Sequence, residues 1–161
     1  MGLDMYLSAE KYVGGWNHSS PEEKASFSLL QSVTGLTPTE HSPSFYVKVT
    51  VGYWRKANQI HKWFVDNVMD GEDTCVDHYV SREKLDELLQ ICRTILQRLQ
   101  AGEPVQDVGE ELLPTQSGFF FGSTEYNDFY VEDVSNTVEI LTRVLKDPAL
   151  NDCNFYYTPS W

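Results

Sequence analysis

Ser44-Phe45-Tyr46-Val47-Lys48-Val49-Thr50-Val51 is the stretch on which the fold turns. Phe45, Val47, Val49 and Val51 alternate with Tyr46, Lys48 and Thr50, and period-two alternation of β-branched and aromatic residues is the mark of a strand. Gly52 punctuates, and the pattern then changes. Across residues 53–68, YWRKANQIHKWFVDNV, Tyr53, Ala57, Ile60, Phe64 and Val68 fall within an arc of about 80° at 100° per residue, so the spacing predicts a helix.

Working outward, residues 4–13 place Met5, Leu7 and Ala9 on one side of an extended segment that Gly14-Gly15 ends. Ser20-Pro21-Glu22-Glu23 has the form of a helix start, with Ser20 as cap, Pro21 in the first turn and Glu23 to complete a capping box. That helix should run to about Val33 and stop at Gly35, before a polar loop with Pro38 and Pro43. Downstream, a short extended piece around His78–Val80 leads to Ser81, the cap of a long helix through about Gln100. Leu85, Leu88, Leu89, Cys92, Ile95, Leu96 and Leu99 form its core stripe, and Gly102 stops it. Residues 103–113 read as an acidic linker and Gly118–Tyr126 as extended. Asp128 or Asp133 starts a last helix, with Val131, Val134, Val138, Leu141 and Leu145 facing the core until Asp147-Pro148. Phe155–Tyr157 reads as a final strand. The expected architecture is α+β: one domain over residues 1–161, a mixed sheet of four or five strands packed with about four helices.

The chain's 161 residues fit one compact domain. Its hydrophobic content of 41% can fill a core, which sets it apart from disordered chains. No apolar run approaches a membrane span, and MGLDMYLSAEKYV lacks the basic and apolar regions of a secretory signal. The formal charge of −12 argues against nonspecific nucleic-acid binding. That charge is uneven: residues 1–62 hold six basic and five acidic residues, whereas residues 63–161 hold six and 19. Three of the early cations, Arg55, Lys56 and Lys62, lie close together in sequence. Cys75, Cys92 and Cys153 are too few and too scattered for a disulfide framework, which fits a reducing cytoplasm. Cys75-Val76-Asp77-His78 has no second ligand pair, so no metal or other cofactor is expected.

Two segments carry polar groups that folding alone does not require. In Trp54–Trp63, read as helix, Trp54, Asn58 and His61 share a flank, with Arg55 and Lys62 beside it. A ligand there would meet an aromatic ring, an amide, an imidazole and two cations suited to phosphate or carboxylate. The plainer alternative makes Trp54 and His61 core-edge residues, with Lys62 paired to Asp66 at i+4. The second segment, Leu113–Tyr126, brackets Phe119-Phe120-Phe121 with Gly118, Gly122 and small polar residues. Thr115, Gln116, Ser117 and Ser123 offer hydrogen bonds, and Phe120 and Tyr126 offer ring faces. It is neither a Walker loop nor a dinucleotide fingerprint. Its alternative is a buried strand bounded by turns. No catalytic motif is present: there is no G-x-S-x-G and no H-E-x-x-H. Glu125 and His61 would form an acid–base pair only if the two segments meet.

Three stretches, Met1–Leu7, Val51–Val65 and Leu112–Tyr126, together resemble a family of small proteins encoded by bacteriophages and prophages. The resemblance brings no residue roles with it. It implies a setting, the bacterial cytoplasm, and the role of a phage accessory protein that counters host defence. The expected function is binding and sequestration of a small anionic, nucleotide-like signalling molecule by Trp54, Arg55, Asn58, His61, Lys62, Thr115, Gln116, Ser117, Phe120, Ser123 and Tyr126. The alternatives are an enzyme that modifies such a nucleotide, with His61 and Glu125 as acid and base, or an acidic inhibitor that mimics DNA. No membrane partner is expected, and a homo-oligomer is compatible with the sequence.

Overall fold

The computed structural model describes residues 2–161. The chain is α+β, with one four-stranded antiparallel sheet and five α-helices among the described residues. Strands β1 (Asp4–Gly14), β2 (Ser44–Arg55), β3 (His78–Val80) and β4 (Asn154–Ser160) stand in the order β2-β1-β4-β3. In the β3–β4 pair, His78 faces Tyr157 and Val80 faces Phe155. The helices are α1 (Pro21–Thr34), α2 (Asn58–Asn67), α3 (Arg82–Gln100), α4 (Val105–Leu112) and α5 (Asp128–Lys146). No described helix is long and apolar enough to cross a membrane. The residues group into two compact units, one of residues up to Ala9 with Thr50–Trp161, the other Glu10–Val49.

In the smaller unit, helix α1 begins as its sequence dictates. Ser20 Oγ accepts the Glu23 N–H at 3.1 Å, Pro21 occupies the first turn, and the helix ends on Gly35. The Glu23 carboxylate accepts chiefly from the Gly14 N–H at 3.0 Å, with a weaker interaction with the Ser20 backbone. Phe27 of α1 lies against Phe45 of β2 with ring centres 5.2 Å apart, yet no residue of α1 is buried.

In the larger unit, Leu3 and the β1 residues Met5, Leu7 and Ala9 belong to one buried core cluster together with side chains of α2, α3 and α5. Helix α2 is nearly engulfed: Ile60, Trp63, Phe64 and Val65 are buried, and so are the polar Asn58, Gln59 and His61. Phe64 stacks on Tyr157 of β4 at 3.9 Å between ring centres. The α3 stripe packs as its spacing predicts, with Leu85, Leu88, Leu89, Cys92 and Ile95 buried. Each fully buried leucine contributes roughly 1.5–3 kcal/mol. Burial pushes the Cys92 thiol up to about 12, which leaves it an inert core residue.

Four local expectations change. Residues 53–55 do not begin the helix; β2 runs on through Gly52 to Arg55, and α2 starts only at Asn58. Gly52 is a point of close approach, because a Cβ there would come within 2.7 Å of Ile140 Cγ2 on α5 and 3.2 Å of Leu7 Cβ. The stretch read as an acidic linker contains α4, whose Val105, Val108 and Leu112 repeat at helical spacing beneath an acidic surface. Gly118–Tyr126 is not extended strand but irregular loop. Finally, α5 presents Tyr130, Val134, Thr137, Leu141 and Val144 to the core, with Val131, Val138 and Leu145 only half-buried. The helix is rotated toward Trp54, whose indole N–H donates to Thr137 Oγ1 at 2.9 Å.

Candidate functional site

The two polar segments meet, and Asn58 joins them. Its buried side-chain amide donates to the Phe121 carbonyl at 3.1 Å and to the Ser123 carbonyl at 2.7 Å. Its carbonyl oxygen accepts the Gln116 N–H at 3.0 Å. One side chain at the start of α2 thereby holds both ends of the 116–123 loop. Tyr126 Oη accepts the Thr115 N–H at 3.2 Å, and Thr115 Oγ1 donates to the Thr124 carbonyl at 3.1 Å. The three phenylalanines divide by position: Phe121 is buried, Phe120 half-buried, and Phe119 fully out in solvent at 95% exposure.

Beside this joint lies a cleft of about 270 Å³. One wall is the junction between β2 and α2, through Arg55, Lys56 and Gln59. The loop supplies Thr115, Gly122, Ser123 and Glu125, and the first turns of α5 supply Asn127, Phe129, Tyr130, Glu132 and Asp133. The Gln59 amide donates to Asp133 Oδ2 at 3.1 Å across the two walls. Desolvation raises the Asp133 carboxyl to about 6, and Glu132 pushes in the same direction against the Gln59 hydrogen bond. Neither Arg55 nor Lys56 forms an ion pair among the described residues. Lys56 itself has φ +60°, a conformation costly for a side-chain-bearing residue, and its N–H donates to the Leu3 carbonyl at 2.8 Å. Gly122, at φ +86°, packs on it: a Cβ there would lie 3.1 Å from Lys56 Cβ. The N–H groups of Phe129 and Tyr130 are already taken by the Asn127 side chain, so the α5 N-terminus is closed to a ligand.

Of the residues expected to bind ligand, Arg55, Thr115 and Ser123 line this cleft. Asn58, Gln116 and Tyr126 build the joint beside it. Trp54 is a core residue, as its place on a strand directed to α5 requires. His61 is also core: its Nδ1 is 2.7 Å from Tyr157 Oη, its Nε2 3.1 Å from Asp73 Oδ2, and Phe121 meets its ring edge-on. With both nitrogens engaged and no place in the cleft lining, His61 forms no acid–base pair with Glu125. Lys62 pairs with Asp66 one turn on. Ser117 is exposed, and Phe120 packs against the core without lining the cleft. The helical flank inferred from spacing therefore does not exist, because Trp54 and Arg55 follow strand geometry and Asn58 onward follows helix geometry.

The expected ligand-binding set lacked Lys56, Gln59, Glu125, Phe129, Glu132 and Asp133, all of which line the cleft. One signal was legible: Asp133 sits in the midst of the apolar Tyr130, Val134 and Thr137 positions, where a solvated carboxylate is out of place. No group of three or more side chains able to hold a metal ion occurs among the described residues. Comparison with protein-family models, with curated proteins and with solved structures finds no match, so what the cleft accepts is argued from its own chemistry.

Proposed function

We propose that the chain binds and sequesters a small anionic, nucleotide-like molecule in the cleft between the β2–α2 junction and α5. The observation that carries this reading is the pair Arg55 and Lys56, two adjacent cations without ion-pair partners among the described residues, on the wall of a cleft built jointly by both polar segments. Arg55 offers a planar fork to phosphate oxygens and Lys56 a point charge. The exposed ring of Phe129, on the rim, offers a stacking face for a base. Thr115 and Ser123 add hydroxyls.

The carboxylates narrow the ligand. Glu125, Glu132 and Asp133 accept hydrogen bonds and repel anions, so the lining favours few negative charges and several N–H donors. A phosphodiester with an amino-bearing base meets both demands; a triphosphate brings charge that two cations do not offset. A volume near 270 Å³ lies just below the usual range of roughly 300–1,000 Å³ for ligand pockets, and it suits one nucleoside phosphate unit. Held this way by a phage accessory protein, a host signalling nucleotide would be withdrawn from its receptor. Sequestration predicts that the ligand is released chemically unaltered, whereas an enzyme would return it modified.

Calorimetric titration with cyclic mononucleotides, cyclic dinucleotides, cyclic ADP-ribose isomers and a nucleoside triphosphate tests the proposal. Arg55→Ala and Lys56→Ala should each weaken binding at least tenfold, whereas Lys62→Ala should leave it unchanged. Absence of heat for every phosphodiester, or equal weakening by Lys62→Ala, would refute it.

A further inference from the structure

The smaller unit, Glu10–Val49, is covered less well than a folded segment should be. Its fourteen-residue helix α1 has no buried residue. Leu29, Val33 and Leu36, at i, i+4 and i+7, lie exposed along or just past that helix, Val33 at 76%. Tyr46 and Val49 of β2 are exposed as well, Val49 at 54%. Isolated helices of this length are marginal in water, because most helical stability comes from packing an apolar face.

β2 is also an edge of the sheet, with β1 as its neighbour among the described strands. An edge strand presents unpaired N–H and C=O groups that template further strand pairing. The far end of β2 is blunted, since Arg143 Nη2 donates to the Val51 carbonyl at 2.6 Å. Lys48 is the one charged residue in the stretch 44–50.

Charge indicates what docks there. Residues 10–49 contain three basic and four acidic residues, whereas the rest of the chain contains nine and twenty. Two copies of this chain repel through most of their surface and least through this segment. A strand edge is moreover self-complementary when paired antiparallel about a twofold axis, the commonest symmetry of soluble oligomers.

We infer that the chain forms a twofold homodimer in which residues 44–50 of β2 pair with the same residues of a second copy, and the Leu29–Val33–Leu36 stripe is covered in the process. The dimer surface lies within residues 10–50 and uses none of the cleft residues, so it stands or falls independently of ligand binding.

Light scattering coupled to gel filtration, run over a wide range of protein concentrations, reads the mass directly. The expected result is a species of twice 18.5 kDa that dissociates on dilution. Val49→Lys and Val33→Glu should each shift the midpoint of dissociation at least tenfold toward higher concentration. Should either variant misfold, hydrogen exchange on the unmodified chain gives the same answer: the amides of residues 44–50 should be slowed at high concentration and fast at low. A monomer at every concentration, or a dimer whose dissociation neither variant shifts and whose 44–50 amides exchange independently of concentration, overturns the inference.

Discussion

Replacing Asn58 by alanine isolates the joint between the two segments. Asn58 is 1% exposed and makes three hydrogen bonds, to the carbonyls of Phe121 and Ser123 and from the N–H of Gln116. Each is worth a net ~0.5–1.5 kcal/mol, and a polar group left unpaired in the interior costs about 1–3 kcal/mol. The Ser123 carbonyl is close enough to solvent to regain water, but the Phe121 carbonyl is buried. The expected loss is therefore about 3 kcal/mol. Urea unfolding of Asn58→Ala reads this as a lower midpoint at unchanged slope. Asn58→Asp should be worse at neutral pH, because its second carboxylate oxygen faces two carbonyl oxygens where the amide had donated. It should recover partly on acidification, since a protonated carboxyl restores one donor. A loss under ~1 kcal/mol for Asn58→Ala, or an aspartate variant as stable as the alanine variant at neutral pH, would show that the loop is held by something else.

Three further outcomes are expected. Gly52→Ala puts a methyl 2.7 Å from Ile140 Cγ2 and should cost ~1–3 kcal/mol in thermal or urea unfolding; Ile140→Ala in the same chain should return part of it, as a double-mutant cycle would show. Gly122→Ala combines φ +86° with a contact to Lys56, and should weaken phosphodiester binding in calorimetry more than it lowers the melting temperature. Asp133, raised to about 6 in the folded chain from its ordinary value near 3.8, stabilises the fold most when protonated, so its contribution is full below about pH 4 and fades as pH rises through about 6. Melting of Asp133→Asn should accordingly show a flatter pH dependence across that window, with higher stability than the parent at neutral pH.

Which elements were legible follows from how local their causes are. The Ser20 and Ser81 caps, the Gly35 stop and the α3 leucine stripe depend on neighbours within one or two turns, and they appear where the residues place them. The division of residues 53–68 between strand and helix does not depend on neighbours alone. Tyr53, Trp54 and Arg55 are compatible with either state, and strand wins because Gly52 lets β2 continue beneath α5 and Thr137 takes the Trp54 N–H. That decision moves Trp54 to the core and Arg55 to the cleft. Sequence spacing placed them on neighbouring parts of one helix.

The candidate site divides in the same way. That residues 54–62 and 115–126 hold more polar chemistry than a core needs was readable from residue types alone. That Asn58 ties them together was not, because it depends on hydrogen bonds spanning 58 to 65 positions of chain. The sequence by itself determined the composition of this protein's elements and the cations available to it, since propensity, capping and periodicity act over short range. The Lys62–Asp66 pair spans one turn of α2 and was likewise readable from spacing. Only the tertiary structure decided that His61 is spent on Tyr157 and Asp73. It alone brought Glu132 and Asp133 opposite Arg55 and Lys56. Burial and pairing are set by where elements pack, and packing joins residues that local sequence keeps far apart.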